Sequence, residues 1–233
     1  MINCERVSTL VIDDVLVENE RIINMDDIKV VFDAFEECFG KYAEQIGFSK
    51  ARKKNYIRKV GQCIQHINIL DTKTKGQQSI NIRISVGITY IDVNKKVAEL
   101  RMKEYDSKWA TGANDLGALS VPPENFSRYL LLDTDVDSLC KEIFSRIESN
   151  ASRFWDKTDS MDKFLKGLLD DEKEVCSSTS GLWRPSWTSL ALACLIEPSK
   201  ISFVLDKYSE FFAKNMPDET RDLLKKQYCL EGE

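Results

Sequence analysis

Between Ser79 and Ile91 the chain reads SINIRISVGITYI, with apolar residues at every even position from Ile80 to Tyr90 and polar or small residues at every odd one. A period of two sustained over six matches puts one row of side chains in a core and the other outside it, which is the pattern of a half-buried strand. Such a strand needs a cover on its apolar face, so the sequence predicts an α+β fold: an antiparallel sheet covered by helices.

The flanking segments fit that frame. Asn55 to Lys59 and Gln62 to Leu70 read as two strands joined through Gly61, and Asp71 to Gln78 is a polar turn into the strong strand, giving an antiparallel meander. Upstream, Ile28, Val31, Phe32, Phe35, Cys38, Phe39, Tyr42 and Ile46 recur at helical spacing, opened by Asn24 or Asp26 and closed by Gly47. The first 23 residues hold two short apolar runs around Asp13-Asp14 and predict a β-hairpin joined to the sheet. Downstream come a short helix over 92–100 and an irregular loop over 105–124, the candidate lid or contact loop. A strand follows over 128–132, then a helix from Val136 leading to Phe154-Trp155, and a helix over Met161 to Leu169. The stretches 170–174 and 177–181 read as an exposed linker. Helices over 186–196, 199–214 and 217–228 then form a C-terminal all-helical extension on which Trp183 and Trp187 serve as docking anchors. The expected organisation is thus a hairpin at 1–23, an α+β core over 24–175 and a helical module over 182–233.

Composition narrows the class. With 233 residues, 42% hydrophobic and 30% charged, the chain can bury a core without staples. Its longest apolar run, Leu190 to Ile196, is far too short for a membrane span, and the N-terminus lacks the layout of a signal peptide, so a cytoplasmic protein without a membrane partner is expected. The 7 cysteines are scattered without a C-x-x-C pair, which predicts buried free thiols rather than disulfides or a zinc site. The net charge of −5 is unevenly spread: residues 1–48 carry 4 basic and 11 acidic groups, whereas 50–75 carry 8 basic and 1 acidic. Overall acidity makes nucleic acid an unfavoured partner, although the basic strip Lys50, Arg52, Lys53, Lys54, Arg58 and Lys59 could hold an anion.

No complete catalytic motif is present. Asp133, Asp135 and Asp137 imitate a calcium loop, but Ser138 stands where the turn glycine belongs and Phe144 where the bidentate glutamate belongs. Their expected role is to cap the helix starting near Val136. His66 is the sole histidine, and Cys63, three residues away on a strand, faces the other side, so a Cys-His pair is not expected. Residues 112–117, GANDLG, lack the context of a phosphate loop and read as a turn. Neither a metal nor another cofactor is expected.

The order Gly47-Phe48-Ser49-Lys50, Asn55-Tyr56-Ile57-Arg58, Cys63 to Leu70, Ile80 to Gly87 and Arg128 to Asp135 resembles a bacterial family known as domain of unknown function 4304, over about residues 26–170. Where that family places a tryptophan pair after the long loop, this chain has Arg128-Tyr129. The resemblance implies a compact cytosolic α+β protein, sometimes followed by a helical extension, and transfers no active site. Two function classes are therefore expected. The first is a non-enzymatic binding protein, most concretely an immunity protein that neutralises a cognate secreted antibacterial toxin. Its candidate contacts are Trp109, Asp133, Asp135, Asp137, Asp170, Asp171, Glu172 and Glu174. The second is an enzyme or module acting on nucleotides or nucleic acid through the strip 50–59.

Overall fold

A computed structural model describes residues 25–73, 79–108, 110–176 and 183–228. The hairpin expected over 1–23 lies outside the described residues, as does Trp109. The fold is α+β, an open antiparallel sheet with helices and a helical C-terminal part.

Helix α1 (Met25–Gln45) presents Ile28, Phe32, Phe35, Phe39 and Ala43 to the core, all at most 4% exposed. It ends as the sequence predicts. Gly47 takes the left-handed φ of 82°, and the N–H groups of Gly47 and Phe48 reach back to the carbonyls of Glu44 and Ala43. Strand β1 (Ser49–Arg52) follows, a short edge with no apolar signal, and then β2 (Asn55–Val60), β3 (Cys63–Lys73) and β4 (Ile80–Thr89) form the meander. Register aligns Tyr56, Ile67 and Val86 across three strands, so that row and its even-numbered neighbours on β4 share the covered face. Ile80, Ile82, Ile84, Val86 and Ile88 are buried to 1% or less, as the alternation requires.

Helix α2 (Ile91–Leu100) continues directly from β4. The next segment corrects the sequence reading. Residues 105–124 are not an irregular loop throughout, and GANDLG is not a turn: Gly112–Asp115 forms strand β5 on the outer edge of β4, and Leu116–Leu119 is a 3-10 turn. Strand β6 (Ser127–Leu130) then pairs with the other half of the same edge. Asp115 lies opposite Ser85 and Ser127 opposite Arg83, so β5 and β6 are collinear pieces of one edge, separated by an excursion over 116–126. Leu116, Leu119 and Phe126 root that excursion in the core, while residues 121–125 are exposed.

Helix α3 (Val136–Arg146) passes through a π-helical turn (Ile147–Ala151) into α4 (Ser152–Thr158). This run lies against α1 and the sheet. Phe144 meets Phe39 with ring centroids 4.7 Å apart, and the Trp155 indole N–H donates to the Gly87 carbonyl at 3.2 Å. Next comes α5 (Met161–Leu169). The exposed linker expected over 170–174 is in part a helical turn, α6 (Lys173–Cys176), with Val175 buried. Helix α7 (Trp183–Ile196) is apolar on nearly every side, every residue from Pro185 to Cys194 being buried, which is the composition of an interior helix. It packs against α2 and α5 and carries α8 (Ile201–Lys207), α9 (Ser209–Asn215) and α10 (Asp218–Tyr228). The single helix expected over 199–214 is broken at Tyr208, whose backbone leaves helical geometry as its buried ring packs against Phe212. Among the described residues no helix is long and apolar enough to cross a membrane.

Candidate functional site

Residues 129–138, YLLLDTDVDS, contain three aspartates and no basic residue. They form the corner where β6 leaves the sheet for α3. Leu130 is fully buried and holds the strand down, yet Tyr129, Leu131 and Leu132 are 58%, 46% and 39% exposed. Leu131 and Thr134 close a tight turn, the Leu131 N–H donating to Thr134 Oγ1 at 2.7 Å and the Thr134 N–H to the Leu131 carbonyl. Asp135 then caps α3, accepting from the Ser138 N–H at 3.1 Å and the Ser138 hydroxyl at 2.7 Å. Those two bonds hold its carboxyl below the usual aspartate range. Asp137 is held low by Lys141 and by the Tyr42 hydroxyl, which donates to it at 2.9 Å. Asp133 is exposed between the leucines and the cap. At neutral pH this corner offers ionised carboxylates beside apolar side chains, a combination suited to contact with a basic surface rather than to proton transfer.

The other acidic group is tied into the fold. Lys166 pairs with Asp170; Lys207 pairs with Asp171 at 2.6 Å; Lys157 takes both Glu172 at 2.9 Å and Glu174 at 3.2 Å. These pairs link α4, α5, α6 and α8.

The basic strip is divided in the same way. Lys50 pairs with Glu36 at 2.8 Å, and Lys54 pairs with Asp71 at 2.5 Å over the Phe32 ring. Burial works to raise the Glu36 carboxyl, but Lys50 and the Lys54 N–H outweigh it and hold it low. Arg58 is half-buried under the helices. Its Nε and Nη2 donate to Gln65 Oε1 at 2.9 and 2.6 Å, Nη1 donates to the Ile46 carbonyl at 2.8 Å, and the guanidinium lies 4.6 Å from the Phe48 ring centre. Arg52 and Lys59 fall on the opposite face of the sheet, opposite or beside Asn55 and Ile64, while Lys53 is exposed in the β1–β2 turn. No continuous cationic track joins the six. His66 shares the face of Arg52, its Nε2 2.8 Å from the Thr89 hydroxyl; burial, with Arg52 adding to it, lowers its affinity for a proton. Cys63 is buried on the other face, as strand parity requires.

Protein-family models, curated proteins and solved structures were compared with the chain. None matches. The corner is therefore read from its own geometry. Its aspartates are visible in the sequence, but the exposure of Leu131 and Leu132 is not, because an apolar run after a strand looks like more core. The signal was the charge imbalance that follows them.

Proposed function

We propose that this protein is a non-catalytic binding protein whose β6–α3 corner seats on a basic partner protein, in the manner of an immunity protein that occupies and neutralises a cognate antibacterial toxin. The observation that carries this reading is the run of exposed Tyr129, Leu131 and Leu132 against Asp133, within ten residues free of positive charge. Aromatic and aliphatic anchors supply the buried centre of an interface, and carboxylates around them speed encounter with a cationic surface. The rival reading, anion binding along 50–59, has less support because Lys50, Lys54 and Arg58 are engaged with Glu36, Asp71 and Gln65.

The test is quantitative affinity purification of the tagged protein from its native host beside two variants, Leu131→Ser with Leu132→Ser, and Asp133→Lys. A stoichiometric basic partner that is captured by the wild type, falls at least tenfold with each variant and is released by salt supports the proposal. Equal capture by all three proteins, or no stoichiometric partner, overturns it.

A further inference from the structure

A cleft of about 250 Å³ lies between the end of α2, the segment after it and the start of α7. Two arginines from distant parts of the chain converge on it. Arg101 closes α2 and lies with its guanidinium 4.4 Å from the Trp183 ring centre, and Arg184 enters one residue into α7. Neither forms an ion pair with a described carboxylate. Arg184 Nε is buried without any hydrogen-bond partner, one of only two such side-chain atoms among the described residues. Glu104 and Asp106 also line the cleft, but from its exposed rim. The inner wall is neutral: Thr111 and Thr188 are buried, the Thr111 hydroxyl donates to Asn94 Oδ1, and the Thr188 hydroxyl reaches the Thr111 carbonyl.

A buried guanidinium N–H with no acceptor is costly, and Arg101, half-withdrawn from water, lines the same cleft. An oxyanion in the cleft would supply the missing acceptor, since the planar fork of arginine matches carboxylate and phosphate oxygens. We infer that this cleft is a binding site for a small organic oxyanion, a carboxylate or phosphate, held between Arg101 and Arg184 with its organic part against Trp183. The site is independent of the β6–α3 corner, and its occupant bridges α2 to α7.

Thermal unfolding of the full chain tests the inference, with acetate and benzoate as carboxylate probes, inorganic phosphate and AMP as phosphate probes, and chloride at equal ionic strength as control. One pair of probes should raise Tm saturably, by about 3–6 °C at tenfold over Kd for a chain of this size. Arg184→Met, which removes the orphaned N–H while keeping volume, should lose that rise and, without a probe, melt at or above the wild-type temperature. Arg101→Met should weaken the probe's Kd at least tenfold. No saturable rise with any probe, a rise that persists in Arg184→Met, or a marked fall in the probe-free Tm of Arg184→Met would overturn the inference, the last by making Arg184 a purely structural residue.

Discussion

Replacing Arg58 with Met separates a structural arginine from an anion-binding one. The substitution keeps the apolar stem and removes the guanidinium, leaving the buried Gln65 carbonyl, 4% exposed, and the Ile46 carbonyl without their donors. An orphaned buried acceptor costs about 1–3 kcal/mol, and the lost cation–π contacts with Phe48 and Trp155 add about 0.5–2 kcal/mol. One guanidinium makes all of these contacts, so they do not add fully, and a net loss of about 3 kcal/mol is expected. For a chain of this length that is a drop of roughly 6–12 °C in Tm. Urea unfolding should show a lower midpoint at unchanged slope. Arg58→Lys should recover less than half of the loss, because a point charge cannot span Gln65 and Ile46 together. Pairing Arg58→Met with Gln65→Leu should be milder than the sum of the two single changes by about 1 kcal/mol or more, since no acceptor is then left bare. A single variant within about 0.5 kcal/mol of the wild type, the usual range for surface changes, or strict additivity of the pair would refute the reasoning.

Three further outcomes follow from the same structure. Because the folded state disfavours protonated His66, its proton binds preferentially to the unfolded chain, so its contribution leaves stability level above about pH 7 and lowers it as pH falls below the ordinary value of 6.5; Tm recorded from pH 8 to pH 5 should decline less in His66→Gln than in the wild type. A Cβ at Gly117 would sit 2.3 Å from the Glu124 carbonyl oxygen and 2.6 Å from the Phe126 nitrogen, both backbone atoms, so Gly117→Ala should lose about 3 kcal/mol in urea unfolding, whereas Gly61→Ala, with open space around it, should lose only the left-handed backbone cost of about 1–2 kcal/mol. Asp135→Ala should lower unfolding stability by about 1 kcal/mol through the lost cap of α3, while Asp133→Ala should change it by less than about 0.5 kcal/mol.

What could be read from the sequence was whatever repeats locally. The period of β4, the stripe and glycine stop of α1, and the bounds of α5 all follow from side-chain spacing, and the structure reproduces them. Elements that exist only because of distant partners were hidden. Strand β5 has no alternation of its own; it forms because β4 offers an unpaired edge opposite Ser85 to Ile88. The break at Tyr208 has no glycine or proline to announce it and arises where a buried ring is placed. The candidate corner was half legible: the aspartates and the capping role could be read, but not the exposure of Leu131 and Leu132. Arg101 and Arg184 carry no shared sequence signal because 82 intervening residues separate them, and only the packing of α2 on α7 brings them to one cleft.

The collinear edge of the sheet has an evolutionary reading. Asp115 and Ser127 rejoin β4 two positions apart, and Leu116, Leu119 and Phe126 anchor the excursion between them on both sides of its exposed tip. Growth at the tip leaves the strand register unchanged, and loop entropy charges only about 0.6 kcal/mol for each doubling of length. Residues 121–123 are therefore where descendants of this chain can gain or lose segments, or accept an inserted domain, while the sheet beneath them stays the same.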